Sequence, residues 1–354
     1  GVVAVPEGFQ IAKTQGVIFV HGAGNDMNNP YRTKEEKMTE KLKKVDKVEI
    51  LTLQDNYIDV AAFDSTEIVQ RPMPVKDGEI KNSILAEHGF SALVTITPGD
   101  SVRNILFDFG LSAHGAAFNA DALGLDLTAV EAMVLSHGHM DHFGGLEQLA
   151  ERVGKKGIEL VLHPTAFRKL RYLKVSEESK INLPSLSRDK IDKAGVSVVE
   201  HKEPRMLLDD YLLFLGEIPK KTEFERGFPR MHYDEDGKEK WDPIEDDTGI
   251  VAHVKGKGLV ILSGCAHSGI VNTVKYAQEV SGIDQLYVVM GGFHLTGADF
   301  EPIIEPTTEA LKALNPQYIV PTHCTGRKAI VHFEREMPDK FLLNMSGTKM
   351  TFAA

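Results

Sequence analysis

From Val45 onward, short apolar runs recur along the chain, and each stops at a cluster of polar residues. Val48-Glu49-Ile50-Leu51-Thr52-Leu53 ends at Gln54-Asp55-Asn56, which predicts a strand closed by a polar turn. Leu93–Thr97 and Val102–Phe107 flank Pro98-Gly99-Asp100 and predict a hairpin, with Asp108-Phe109-Gly110 ending its second strand. Leu127–Ala132 has helical spacing. Val134-Leu135 is a strand that runs into Ser136-His137-Gly138-His139-Met140-Asp141-His142. Leu146–Val153 predicts a helix, Ile158–Leu162 a buried strand, and Ala166–Glu178 a charged helix.

The second half repeats the style. Gly249–Val254 and Gly258–Leu262 predict a hairpin that ends in Ser263-Gly264-Cys265-Ala266-His267. Val271–Val280 and Thr307–Leu314 are helical. Strands Leu286–Met290 and Tyr318–Val320 end in Gly291-Gly292-Phe293-His294 and Pro321-Thr322-His323-Cys324. Strands interleaved with helices in both halves predict an α/β protein with two mixed sheets packed face to face and helices outside. Residues 1–44 read as an N-terminal extension, with a short apolar stretch at Val17–Val20 and a charged helical segment at Arg32–Lys44. Residues 45–354 read as one domain.

The composition narrows the class. The chain has 354 residues, 42% of them apolar, which excludes disorder as the main state and supplies ample core. A net charge of −11 disfavours a nucleic-acid surface. No apolar run approaches the ~18 residues of a membrane span. The two cysteines, Cys265 and Cys324, form no disulfide framework. Residues 1–20 lack the order of a signal peptide, so cytoplasm is the default expectation; a signal already removed would leave no trace. A small-molecule substrate is the expected partner, and a homo-oligomer is compatible with the sequence.

His137-x-His139-x-Asp141-His142 carries the chemistry. Alternate residues of an extended segment point the same way, so His137 and His139 reach one ion. The turn that follows aims Asp141 and His142 at a neighbouring ion. Nitrogen and oxygen donors of this kind suit one or two divalent ions, zinc first, with iron or manganese also suited.

This motif, followed by Phe143-Gly144-Gly145-Leu146, resembles the signature of the metallo-β-lactamase superfamily. Ala86–Ser91, Ile105–Gly110, Gly216–Pro219, Gly264–Asn272, Gly291–Leu295 and His323–Gly326 are similar to one branch of it. That branch holds the archaeal synthase that joins a dihydropterin to ribofuranosylaminobenzene 5′-phosphate, and uncharacterised metal-dependent hydrolases. The resemblance implies a four-layer αββα sandwich. It places His137 and His139 on the first ion, Asp141 and His142 on the second, and His323 as the last ligand of the second. Asp55 is expected to brace the site, and Asp108 either braces it or makes an ordinary turn.

The sequence also departs from the superfamily pattern. Many members carry a His where Gly216-Glu217-Ile218-Pro219 has none, and an Asp where Gly264-Cys265-Ala266-His267 has none. His267 is therefore the expected third ligand of the first ion. Cys265 either stands where the bridging carboxylate usually sits or packs. His294 is a metal or substrate group, or a buried structural histidine. Thr325 and Arg327, at a helix start, either receive an anionic substrate group or cap and solvate the helix. His88 and His163 read first as structural, and Asp246-Asp247-Thr248 as a turn or cap.

The resulting expectation is a hydrolase in which a metal-bound hydroxide attacks an ester, amide or phosphoester, with Asp141 orienting the nucleophile or carrying its proton. A transferase similar to the synthase and a non-catalytic metal-containing binding protein are the alternatives.

Overall fold

Alternation along single strands decides which face each sheet turns inward. In Arg103–Phe107, Ile105 and Phe107 pack between the two large sheets, while Leu106 packs under helices on the outside. Val134 and Met133 divide in the same way, as do Leu262 and Ile261 in the other sheet. Period-two alternation, apolar on both faces, is what a strand covered on both sides requires.

The computed structural model describes residues 9–14, 17–22, 42–73, 75–76, 78–80 and 83–354. The chain divides into two units, Gly1–Lys37 and Met38–Ala354. Within the first, Phe9–Thr14 and Val17–Gly22 form an antiparallel hairpin. Most of the charged helix expected at Arg32–Lys44 lies outside the described residues. Its last residue opens the strand Lys44–Val45, which pairs with Gly249–Val254 in the second unit.

The second unit is built on two sheets. One holds, in spatial order, Val196–Glu200, Ile158–Leu162, Val130–Val134, Arg103–Phe107, Ser91–Thr97, Lys47–Gln54, Lys349–Ala353 and Val69–Gln70. Its first four strands are parallel and the rest antiparallel. The other holds Arg205–Leu207, Leu212–Phe214, Gly249–Val254, Gly258–Ser263, Leu286–Gly292 and Tyr318–Thr322, with its last three strands parallel. Helices Gly115–Ala122, Leu146–Val153 and Arg188–Lys193 cover the outer face of the first sheet through Ala116, Leu149 and Ile191. Ile270–Ser281, Ile304–Leu314 and Arg327–Glu336 cover the second through Val274, Leu311 and Phe333. The order helix, sheet, sheet, helix is the four-layer α/β sandwich expected. Among the described residues no helix is long and apolar enough to cross a membrane.

Two expected helices are not formed. Ala166–Glu178 is a short 3-10 turn, Pro164–Phe167, followed by the strand Arg171–Lys174. That strand belongs to a separate four-stranded sheet with Lys180–Asn182, Met231–Glu235 and Lys238–Trp241. Arg171 is the reason: its side chain is 2% exposed and pairs with Asp242 and Asp246, so a residue that looked solvated is a buried anchor. Leu127–Ala132 gives one 3-10 turn before the strand Val130–Val134 begins, because Val130, Met133 and Val134 fill the sheet.

Phe107 is fully buried between the sheets and ends the strand that delivers Asp108. Phe107→Ala is expected to cost about 3–5 kcal/mol of stability, measured by urea unfolding.

Candidate metal centre

The chemistry-bearing loops leave the same edge of the sandwich. Asp55 follows Lys47–Gln54, Asp108 follows Arg103–Phe107, and the histidine motif follows Val130–Val134. Cys265 and His267 follow Gly258–Ser263, while His294 and His323 follow the two strands beyond it. Strands that run in one direction present all their C-terminal loops together.

Two ligand clusters result. His137, His139 and His267 bring one ring nitrogen each within 4.8 Å of one another. Asp141, His142, Cys265 and His323 do the same with a carboxylate oxygen, two nitrogens and the sulfur. Cys265, His267 and His294 form a third, overlapping set, so Cys265 stands between the two main clusters.

The first cluster fits a cation. His139 Nε2 and both ring nitrogens of His267 are buried without a hydrogen-bond partner. A buried unpaired donor or acceptor is costly, and coordination removes that cost. Burial lowers the pKa of His137 and His267 well below the usual value, aided by neighbouring imidazoles, and lowers that of His139 to about 4. These rings are neutral at physiological pH and ready to ligate.

The second cluster holds its protons differently. Burial would lower the pKa of His142, but Asp108 and Asp141 overcome it and hold it at about 9. Burial pushes the Cys265 thiol up. Asp141 is held well below the usual carboxylate range, because His142 and His323 outweigh its burial.

Buried braces aim the ligands. Asp108 accepts from Ser136 N at 2.7 Å, from Ser136 Oγ at 2.7 Å, and pairs with His142 Nδ1 at 2.6 Å. His142 Nε2 is thereby left facing Cys265 Sγ, 3.0 Å away. Asp55 accepts the His323 N–H at 2.9 Å and the Asn344 amide at 2.7 Å. Asn56 Oδ1 lies 3.0 Å from His323 Nδ1, which leaves Nε2 facing Asp141 at 3.1 Å. Asp246 accepts the Gly138 N–H at 2.7 Å while paired with buried Arg171. A Cβ at Gly138 would collide with the Ala166 carbonyl, so this position needs glycine for close approach.

Each residue singled out by sequence has a place here. Asp55 and Asp108 are braces rather than exposed groups. His294 lies beside His267, ring centroids 4.2 Å apart. Thr325 is buried, and its hydroxyl accepts the Phe293 N–H at 2.9 Å, fastening the His323 loop to the His294 loop. It offers nothing to a substrate in this arrangement, whereas Arg327 is exposed at the start of its helix. His88, read first as structural, is at the mouth: Nε2 is 3.4 Å from Asp141 Oδ2. Asn56 and Arg171 carried no local signal, because each acts on a residue distant in sequence. Asp246, read as part of a turn or cap, accepts the Gly138 N–H instead. Ser136, inside the motif, was not singled out, though its hydroxyl lies beside His137 Nδ1.

A model of the metallo-beta-lactamase superfamily matches residues 89–323, and the chain belongs to that superfamily. It is 33% identical over 304 residues to the 7,8-dihydropterin-6-methyl-4-(beta-D-ribofuranosyl)-aminobenzene-5'-phosphate synthase of Methanocaldococcus jannaschii, spanning 84% of this chain and 94% of that one. It is 32% identical over 258 residues to MJ0448, an uncharacterised protein of the same organism, spanning 72% of this chain and 90% of that one. Among solved structures, Tm1679, described as a metal-dependent hydrolase of the beta-lactamase superfamily, superposes with a TM-score of 0.65 at 25% identity, over 87% of this chain and 100% of that one.

Two outcomes test the clusters. His267→Ala is expected to remove the metal of the first cluster, since two ligands remain where a catalytic zinc normally has three. Cys265→Ser should keep that metal and weaken the second; metal analysis after dialysis against a chelator reads both. A cation at the second cluster displaces the His142 proton, and the Cys265 proton where the sulfur binds as thiolate. Zinc affinity there should rise roughly tenfold to hundredfold per pH unit between about pH 6 and about pH 8, and no more than about tenfold in Cys265→Ser. Affinity at the first cluster should stay nearly flat over that range, because its rings are already neutral.

Proposed function

We propose that this protein is a metal-dependent hydrolase of a small substrate with an ester, amide or phosphoester bond, with zinc held by the two clusters. The observation that carries the reading is the juxtaposition of His137, His139 and His267 with Asp141, His142, Cys265 and His323, linked by the overlapping set Cys265, His267 and His294, with exposed His88 beside Asp141. When bound, the ions supply Lewis acidity and make water a nucleophile near neutral pH.

The chain's own groups do the rest. Asp141, largely buried, turns Oδ2 toward His323 and toward His88. It is placed to orient a nucleophile and to take its proton. His88 is half-exposed, and its hydrogen bond to Asp141 raises its pKa against burial. A histidine at that position passes a proton between Asp141 and solvent. The braces at Asp55, Asp108 and Asp246 hold ligand geometry, which a dinuclear site requires to within a fraction of an ångström.

A transferase similar to the synthase is the second reading. The identity to that enzyme over nearly its whole length favours it. In that case the same clusters would hold the reacting groups of a dihydropterin and a ribofuranosylaminobenzene phosphate.

One assay series separates the two. The zinc-loaded protein is offered a panel of esters, lactones and phosphodiesters, and separately a dihydropterin donor with the aminobenzene acceptor. Hydrolysis of one panel class, lost with a chelator and lowered about 10²- to 10⁴-fold in Asp141→Asn, is expected. Condensation without hydrolysis would establish the transferase instead.

A further inference from the structure

The ligand clusters take up one of the chain's two cysteines and leave the other idle. Cys324 is buried and free, one residue beyond His323, in the turn that follows the strand Tyr318–Thr322. Cys265, also buried and free, follows the strand Gly258–Ser263. The strand Leu286–Gly292 lies between those two in the sheet. Strands two places apart are about 9–10 Å from each other, beyond the roughly 7 Å between Cα atoms that a disulfide spans. The two cysteines meet all the same, because both lie past the strand ends.

Gly292 makes the meeting possible. A Cβ there would stand 2.6 Å from Cys324 Sγ, 2.5 Å from the Gly264 carbonyl oxygen and 3.2 Å from Cys265 Cα. With that position bare, the Gly264–Cys265 segment and Cys324 close over the end of the middle strand. Both loops are tied down to it. The Gly292 N–H donates to the Gly264 carbonyl at 3.0 Å, and the Phe293 N–H donates to Thr325 Oγ1 at 2.9 Å. The Cys324 thiol reaches the Cys265 carbonyl at 3.6 Å and lies within hydrogen-bonding reach of the Cys265 thiol.

The Cys265 sulfur therefore has two competing partners. One is a cation at the second cluster, where His142 Nε2 lies 3.0 Å from it. The other is Cys324. A sulfur bonded to a second sulfur is no longer a thiolate, and the thiolate is the form that binds metal. We infer that Cys265 and Cys324 form a dithiol oxidation site, at which a hydroperoxide joins them in a disulfide that withdraws the sulfur ligand from the second cluster. With hydrogen peroxide the chemistry balances. The sulfur of Cys324, the more exposed of the two at 4% against 1%, bonds to one peroxide oxygen as the O–O bond breaks. The departing hydroxide takes the thiol proton and leaves as water, and Cys324 is a sulfenic acid. The Cys265 sulfur then attacks the sulfenic sulfur. The S–S bond forms, the S–O bond breaks, and the second hydroxide leaves as water with the Cys265 proton. Two thiols lose two electrons and two protons, and one peroxide becomes two waters. The inference goes beyond the proposed reaction and rests on that reading only in taking Cys265 as a ligand of the second cluster.

The test treats the metal-free protein with excess hydrogen peroxide. Intact mass is expected to fall by two hydrogens per chain and to return with dithiothreitol. Peptide mapping without reductant should link the peptides that hold Cys265 and Cys324. Loss of a ligand costs at least what loss of a ligand's outer partner costs, about tenfold in affinity. Zinc titration of the oxidised protein should therefore show the second cluster weakened at least about tenfold, the first unchanged, and both restored by reductant. Cys324→Ser should abolish the link and the reversible change in zinc affinity; Cys324→Ala serves where the serine variant does not fold. Two thiols still titratable after peroxide, a link formed only between two chains, or a link that leaves the second cluster's affinity unchanged would overturn the inference. Cys265→Ser separates this failure from that of the metal reading. If it weakens the second cluster while the wild type forms no link, the ligand role stands and the oxidation site does not. If it changes nothing in zinc binding, the ligand role fails, and with it the inference.

Discussion

The Asp108 carboxylate is the constraint on which the centre depends. It is wholly buried and takes the backbone N–H and hydroxyl of Ser136 and the Nδ1 side of His142. A buried carboxylate is tolerated only when its oxygens are satisfied, so these three contacts stand or fall together. They fix the exit of the strand Val130–Val134 and the ring orientation of His142 in one stroke. Ser136 Oγ lies 2.9 Å from His137 Nδ1, which carries the same constraint into the first cluster. One carboxylate from the neighbouring strand thus orients ligands of both clusters.

Backbone strain gathers at the same edge. Asp108, Ala266, His294 and His323 all have positive φ without being glycine, at 57°, 52°, 45° and 46°. Such conformations cost on the order of 1 kcal/mol or more each and persist where the surroundings over-determine them. Here the surroundings are two sheets, with a hydrophobic core between them and helices on both outer faces. Each strained residue sits one to three positions beyond a strand end, where the chain turns from the sheet to aim a side chain across the edge. The buried Arg171–Asp246 pair does comparable service for Gly138 from the smaller sheet. Asp246 stays ionised because Arg171 and the Gly138 N–H outweigh its burial.

Cys265 gives the centre its particular character. In this position the sulfur is a soft donor, and burial pushes its thiol pKa up. A cation bound at the second cluster would have to displace the thiol proton and the one on His142, a demand the neutral rings of the first cluster do not make.

The sequence by itself determined most of the strands that lead into the centre and the identity of most ligand candidates. Its spacing made Leu127–Ala132 and Ala166–Glu178 look helical, and it left the strands Val196–Glu200, Arg205–Leu207, Leu212–Phe214 and Lys349–Ala353 unmarked. Period-two alternation records burial on a sheet, and His137-x-His139-x-Asp141-His142 lies within one loop whose spacing is local. Tertiary structure alone decided the rest. Arg171 reads as a solvated charge until Asp242 and Asp246, more than seventy residues away, are brought beside it. His88 reads as structural until the short helix Met140–Phe143 brings Asp141 beside it. Whether Cys265 packs or faces the clusters could not be read from its neighbours in the chain, because the groups around it, His142 and His294, come from separate loops. Local patterning fixes what each strand buries; only the packing of strands fixes which loop ends meet, and the chemistry of this protein lies where they meet.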